Sequence, residues 1–247
     1  LIYTPWMIGQ IGQSDYGLYS LALSFISYFV MDFGLGSAIS RFLSKSRATN
    51  DEEEIQNFLG LIYKLYLVIA CVILTALIVF FFFIQTIFVQ LTPQEIEKFR
   101  VIYIISGLFS VVSFPFIPLN GILISYEQFI PLKLCDMLNK VLTIVFMVVS
   151  LLLGYGLYAL VIVNAVVGLI CIVIKLYVIR KRVNLKINWK FWDGKLLKTV
   201  FSFSIWITII GIAQQLLVNI TPSVLAITSG TIAISVFTAG KTIQGYT

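Results

Sequence analysis

Residues 16–47 read YGLYSLALSFISYFVMDFGLGSAISRFLSKSR, and this stretch decides the class of the fold. It predicts one long helix with three zones. Residues 18–31 are apolar and uncharged, a lone carboxylate follows at Asp32 beside the small residues of 34–38, and basic residues occupy 41–47. A simple membrane anchor has no use for a carboxylate or for glycines. The pattern is therefore more typical of a transport protein's membrane span.

Composition excludes most other classes of protein. The chain has 247 residues, of which 60% are hydrophobic and only 11% charged, against about 25% charged residues in soluble domains. Its apolar runs are continuous, which argues against an outer-membrane barrel. Three scattered cysteines predict no disulfide framework, and histidine is absent, so no metal or cofactor is expected. No soluble module interleaves basic with aromatic residues, so no nucleic-acid partner is expected. The sequence predicts an all-α polytopic membrane protein.

The apolar runs predict where the chain crosses the bilayer. The 34 uncharged residues at 141–174 are too many for one span of about 20 residues, so Gly154 and Gly156 predict a turn within them. A break is predicted at Thr221 and Pro222. The predicted crossings are the stub 1–8, the helix 16–47, and the spans 58–88, 101–125, 141–153, 157–179, 197–219 and 223–238.

Two helix starts carry the pattern of a capping box, in which a side chain and a glutamate three residues later bond each other's backbone N–H groups. Thr49 and Glu52 fit it before the third span. Thr92 and Glu95 fit it before the fourth, with Pro93 at the first helical position.

Prolines and mixed-polarity segments predict further irregularities. Pro115 and Pro118 should kink the fourth span. Residues 126–140 predict an interfacial bend before the fifth. Residues 180–198 alternate apolar with polar side chains over part of their length. They predict an extended segment on the membrane surface, followed by a helix capped by Asp193.

Basic residues set the orientation. Twelve of the 17 lie in segments on one side of the predicted spans, and two, Lys98 and Arg100, lie on the other. The excess of Lys and Arg marks the cytoplasmic side. This rule places the turn at 154–156 outside.

Several separated motifs resemble the polysaccharide, or O-antigen-type, flippases of the multidrug/oligosaccharidyl-lipid/polysaccharide exporter superfamily. The motifs are GQSDYGLYSLALS (12–24), MDFGLGSAISRFLSKSRA (31–48), SFPFIPLNGILISYEQF (113–129), LLLGYGLYALVIV (151–163) and KLLKTVFSFSIWI (195–207). The resemblance implies a MATE-like transporter of two helical lobes that enclose a cavity open alternately to each side. This chain would supply residues 1–179 of the first lobe, a basic cytoplasmic connector at 180–198, and the start of the second lobe at 199–247. We expect it to be a piece of a longer protein.

The resemblance also implies a function. The substrate is an undecaprenyl-pyrophosphate-linked oligosaccharide, turned across the cytoplasmic membrane of a bacterium or archaeon without covalent change, so the protein is expected not to be an enzyme. The partners are the lipid-linked substrate and the bilayer, with a proton or Na⁺ as the coupling ion.

Ionisable and polar residues inside spans are the candidate pathway residues. Asp32 would pair with a cavity cation or bind the coupling ion, or else only cap and bend its helix. Arg41 is suited to a pyrophosphate, or else is a positive-inside anchor. Lys64 lines the cavity or reaches the headgroups, and Lys175 fits an anchor that reaches the headgroups better than a pathway residue.

Amides supply the remaining candidates. Gln214 and Gln215 lie on the span expected to face the lobe interface, and are the better site candidates. Asn120, Asn164 and Asn219 are explained at least as well by helix-to-helix hydrogen bonds.

Three rival functions stay open at this stage. A cation-coupled multidrug antiporter of the same superfamily would need an acidic cavity, whereas the few charges within these spans are mainly basic. A membrane glycan polymerase would need large outer loops with catalytic residues, and the outer loops here are short. A scaffold without transport activity has no need of Asp32 or of a kinked fourth span.

Overall fold

The computed structural model describes residues 3–29, 34–183 and 185–244. Within these ranges the chain forms helices joined by short turns, without strands. A 3₁₀ turn at Phe114–Phe116 separates the fifth and sixth helices. The helices are α1 (Tyr3–Ile11), α2 (Gln13–Phe29), α3 (Leu35–Ala48), α4 (Glu52–Ile87), α5 (Pro93–Ser113), α6 (Pro118–Ser125), α7 (Phe129–Leu152), α8 (Gly156–Arg182), α9 (Gly194–Thr228) and α10 (Thr231–Gln244).

Among the described residues, five stretches are long and apolar enough to cross a membrane: Glu52–Ile87, Pro93–Ser125, Phe129–Leu152, Gly156–Arg182 and Gly194–Gln214. Large apolar side chains cover their outward faces, with Phe82 73% and Val72 63% exposed. Exposed apolar surface of this extent is typical of helices that face lipid or other membrane helices. The prediction of an all-α, multi-pass membrane protein is confirmed.

Successive spans run in opposite directions, so the bundle has two distinct ends. We call the end that carries Arg47, Lys133 and Arg180 the basic end. The other, called the opposite end, carries the turns at 88–92, 153–155 and 229–230. At the basic end Arg47 donates a hydrogen bond to the carbonyl of Ser125 and stacks 4.3 Å over the ring of Tyr126.

The prediction of one continuous helix over residues 16–47 is wrong. The chain forms α2 and α3 instead, and Gly34 precedes α3 with φ of 68°. This left-handed conformation is easy for glycine and interrupts a right-handed helix. Asp32 lies outside the described residues.

The residue predicted to cap the third span is also wrong. Asp51, not Thr49, caps α4, and its carboxylate accepts a hydrogen bond of 2.8 Å from the backbone N–H of Glu54. The capping box of Thr92 and Glu95 at the start of α5 is confirmed.

The kink predicted in the fourth span is confirmed as the 3₁₀ turn around Pro115. The predicted bend at 126–140, by contrast, is mostly helix, because α7 begins at Phe129. Its charged residues lie on the first turns of the span. One of them, Asp136, contacts Lys175 on α8.

The turn predicted at 154–156 is confirmed, with φ of 82° at Gly154 and 62° at Gly156. The break predicted at Pro222 is wrong, because α9 continues to Thr228 and the chain turns at Ser229 and Gly230. A proline inside a membrane helix is tolerated where packed neighbours compensate for the lost backbone bond, and α9 packs against α2 and α10.

The segment after α8 packs onto the bundle at the basic end. Residues 185–193 have no regular structure, and Leu185 and Ile187 pack against the core. The backbone N–H of Asn188 donates to the Gln56 carbonyl at 3.1 Å, and its side-chain amide donates to Asn57 at 2.7 Å. As predicted, Asp193 caps the next helix, α9.

Gly60 makes this docking possible, because a Cβ there would overlap the Asn188 carbonyl. We therefore expect Gly60→Ala to displace the 185–193 segment and to lower the free energy of unfolding by about 1–3 kcal/mol, as for other overpacked sites. The measurement is unfolding of the full-length protein in detergent, together with the rate of trypsin cleavage at Lys186 and Lys190.

Gly9→Ala is the matched control, since a Cβ at Gly9 meets nothing within 4 Å. Equal stability and equal cleavage in the two variants would contradict the docking argument.

Candidate functional site

Lys175, inside α8, connects three helices through polar contacts. Its Nζ lies 3.0 Å from Asn120 Oδ1 on α6 and 3.3 Å from Asp136 Oδ1 on α7. Its side chain is only 15% exposed. We call Asn120, Asp136 and Lys175 the polar cluster. Lys175 thus bonds neighbouring helices, although its sequence position fits an anchor at the headgroups.

The two charged members of the polar cluster lie about two helical turns from the basic end. Lys175 precedes the last residue of α8 by seven positions, and Asp136 follows the first residue of α7 by seven. At 1.5 Å per residue, each is about 10 Å from the basic end of its helix. Charges at such depth are costly unless they are paired, and in membrane proteins they commonly mark a pathway.

The cluster has the chemistry of an anion site with a carboxylate as its resident partner. The Asp136 side chain is 43% exposed and has a second cation, Lys133, 3.9 Å away. Because two ammonium groups surround one carboxylate, the local charge is positive. An ammonium group binds phosphate as a compact point charge, and the amide of Asn120 can bond a hydroxyl group.

Arg41 lies where α3 faces α9. Its guanidinium stacks 4.6 Å over the ring of Phe203, and the residue is exposed. Stacking occupies the face of the guanidinium and leaves its N–H edge able to bind an anion.

The other candidates from the sequence lie apart from this arrangement. Lys64 donates a hydrogen bond of 3.0 Å to the carbonyl of Phe191, so it holds the segment between α8 and α9. Gln214 is exposed on α9. Among the described residues, no hydrogen bond or ion pair joins Arg41, Lys64 and Gln214 to one another. Asp32 and the side chain of Gln215 lie outside the part of the chain that is described.

Two asparagines hold helices together, as the sequence suggested. Asn164 on α8 donates to the Tyr19 hydroxyl on α2 at 2.7 Å. Asn219 on α9 donates to Ser27 on α2 at 3.0 Å. Each amide therefore satisfies a polar group of a neighbouring helix.

A second polar arrangement joins α2, α5 and α10 at the opposite end. One carboxylate oxygen of Glu95 accepts hydrogen bonds from Ser14 at 2.5 Å and Thr231 at 2.7 Å. The other accepts from the backbone N–H and hydroxyl of Thr92 at 2.9 and 3.0 Å. We call Ser14, Thr92, Glu95 and Thr231 the closure network, since Glu95 both caps its own helix and holds α10.

Packing around the closure network is close. A Cβ at Gly17 would overlap the Thr231 carbonyl, so only glycine lets α2 and α10 approach this nearly. Further along the same two helices, Ser20 and Thr238 share a hydrogen bond of 2.7 Å. The three helices are thereby held together on the side away from the basic end.

Sequence reasoning did not connect Asp136 with Lys175, although a signal was present. The two residues lie 19 and 20 positions from Tyr155, the centre of the tight turn. In an antiparallel hairpin, residues equally far from the turn lie at the same depth, so opposite charges at these positions can pair. The link from Glu95 to Thr231 had no comparable signal, because it depends on how distant helices pack.

A double-mutant cycle on Lys175→Met and Asp136→Asn should give a coupling energy of about 0.5–3 kcal/mol, the range for residues in direct contact. The matched control is the cycle on Lys133→Met and Asp136→Asn, where the 78% exposed lysine should give less than about 0.5 kcal/mol. Reversible unfolding in mixed detergent micelles measures both. Equal coupling in the two cycles would refute the special position of Lys175.

Comparisons with known proteins agree with this architecture. A search of curated proteins found no match. A solved structure titled as the inward-facing conformation of a multidrug resistance MATE family transporter of the MOP superfamily matches with a TM-score of 0.74 and 17% identity. The match covers 98% of this chain and 60% of that transporter, so the chain spans less than two thirds of that protein's length. The family model described as polysaccharide biosynthesis protein matches residues 1–245. The chain belongs to this polysaccharide biosynthesis family and has a MATE-like transporter fold.

Proposed function

We propose that the chain is part of a flippase that moves an undecaprenyl-pyrophosphate-linked oligosaccharide across the cytoplasmic membrane of a bacterium or archaeon. Transport would proceed by alternating access and would leave the substrate covalently unchanged. Membership of the family and the MATE-like fold support a transporter of this superfamily. The identity of the substrate rests on the charges described below.

The observation that supports the proposal is the ion pair of Lys175 with Asp136, about two helical turns from the basic end. A pyrophosphate must cross a region where an unpaired charge is very costly. Lys175 can exchange the carboxylate of Asp136 for a phosphate oxygen without ever being left without a partner. The nearby Lys133 would then keep Asp136 paired.

Arg41 would bind the pyrophosphate where α3 faces α9. Its exposed guanidinium offers a forked pair of N–H groups that matches phosphate oxygens. Gln214 and Gln215 would contact sugar hydroxyls from α9, and Asp32 would take up the coupling ion, a proton or Na⁺. These assignments rest on residue type and helix position.

The closure network suggests from which side of the membrane the transport cavity is closed in this conformation. Glu95 and Thr231 tie α10 to α2 and α5 at the opposite end, which the distribution of basic residues places outside. Access from the outside would require this contact to break. A cycle of alternating access would then form and break the Glu95 hydrogen bonds once per turnover.

A cation-coupled drug antiporter is the alternative within the superfamily. Cationic substrates call for carboxylates without a permanent basic partner. The polar cluster and the neighbouring Lys133 together hold two ammonium groups and one carboxylate, which fits an anionic headgroup better.

Lys175 provides one test of the proposed transport function. In proteoliposomes that hold the full-length protein and a labelled polyprenyl-pyrophosphate-linked oligosaccharide, Lys175→Gln should slow translocation at least about tenfold, the effect of losing one charged hydrogen bond. Lys175→Arg should retain much of the rate because the positive charge remains.

Lys181→Gln is the control, since this residue lies on the last turn of α8 beside Tyr177. It should translocate at the parental rate. If Lys175→Gln did the same while folding normally, the proposed role of the cluster would be wrong.

The second prediction concerns closure. Glu95→Gln removes the charge that strengthens the bonds from Ser14 and Thr231, and charged hydrogen bonds are about twice as strong as neutral ones. The probe is a cysteine placed at Ser20 in a protein whose native cysteines are replaced. We expect this cysteine to react with an impermeant maleimide added from outside severalfold faster in Glu95→Gln than in the protein that keeps Glu95.

Glu97→Gln serves as the comparison, because Glu97 is exposed on the same turn of α5. It should leave the labelling rate unchanged. Identical rates in the two variants would show that Glu95 does not hold the outer side closed.

A further inference from the structure

A cavity of about 420 Å³ lies between α4, α6, α8 and the 185–193 segment, near the basic end. Its walls are apolar side chains from all four elements, with Tyr63 and Arg180 as the polar exceptions. The volume falls within the range of about 300–1,000 Å³ typical of ligand sites. It is therefore large enough to hold a sizeable apolar group.

We propose that this cavity binds one acyl chain of an anionic glycerophospholipid, whose phosphate sits on Arg180. The inference is independent of the transported substrate. The apolar walls offer water few hydrogen-bond partners, so an acyl chain covers them more favourably than water does. A chain of the surrounding bilayer fills the space without leaving a polar group unsatisfied.

Arg180 supplies the charge complementarity that selects an anionic headgroup. The residue is exposed on the last turn of α8, and among the described residues its guanidinium has no hydrogen bond or ion pair. Arg180 is the one basic residue among the described residues that line the cavity, whereas the neighbouring Lys181 lies near the ring of Tyr177 and Arg182 bonds Gln128. Basic pockets between membrane helices on this side of a bilayer bind anionic headgroups.

Because of where the cavity lies, a bound lipid would stabilise the position of the 185–193 segment. Leu185 and Ile187 form one wall and belong to the segment that docks on α4 through Asn188. A bound chain would contact this wall and hold the segment in place. An undecaprenyl chain is much larger than the cavity, which favours an ordinary phospholipid as the occupant.

The test uses the full-length protein, purified in detergent and examined by native mass spectrometry with phosphatidylglycerol or phosphatidylcholine of identical acyl chains. The parent should retain phosphatidylglycerol preferentially. Arg180→Gln should reduce that preference about fivefold, the effect of one basic residue. Lys181→Gln, whose ammonium lies near Tyr177, should change it much less.

A second variant, Leu176→Trp, fills the cavity from one wall and should reduce retention of both lipids. Equal losses in Arg180→Gln and Lys181→Gln would overturn the site in favour of a diffuse basic surface. If Leu176→Trp retained both phospholipids as the parent does, the lipid would not bind in this cavity and the proposal would be wrong. Displacement of phosphatidylglycerol by undecaprenyl phosphate at equal concentration would assign the cavity to the carrier lipid and contradict the proposal.

Discussion

Hydrocarbon offers no partner to a polar group, and this constraint explains most of the contacts between the helices. Several amides and charges within the helices bond a neighbouring helix: Asn164 bonds Tyr19, Asn219 bonds Ser27, and Lys175 bonds Asn120 and Asp136. Apolar packing alone cannot select one arrangement, since lipid tails are as apolar as leucine. The polar contacts therefore specify which helix faces which.

The two ends of the bundle are held by different chemistry. At the opposite end a carboxylate bonds hydroxyl groups and glycine allows close backbone approach, so hydrogen bonds and backbone packing together hold α10 against α2. At the basic end α3 meets α9 through the stacking of Arg41 on Phe203. This asymmetry is what alternating access requires, because contacts at one end can break while those at the other form.

Much of the fold could be predicted from the sequence, because composition and span length depend on local residues. The turn at 154–156 and the capping box at Thr92 follow from glycine and from side-chain spacing alone. One error arose where packing overrides local preference, and another where Gly34 adopts a left-handed conformation. Pro222 did not end α9, and the helix over 16–47 is interrupted before Leu35.

The candidate site was harder to predict than the fold. Each charged residue was interpreted from its own position in the sequence, without its partners. On that basis Lys175 fitted an anchor better than a pathway residue, and Asp136 fell in a predicted interfacial bend. Their pairing depends on α7 beginning at Phe129 and on the hairpin bringing both to one depth. Lys64 was a candidate pathway residue, but it bonds the backbone carbonyl of Phe191. No local sequence pattern predicts that the segment between α8 and α9 lies beside Lys64.

The transport claim is tested most directly in the source organism by deleting the full-length gene while the upstream steps that load the sugar stay intact. The measurement is the leaflet on which complete lipid-linked units accumulate. A flippase predicts that they build up on the inner leaflet and that surface glycan is lost. Normal arrival of complete units on the outer leaflet would contradict the account. Unpolymerised units there would indicate a polymerase, and unchanged glycan would indicate drug export.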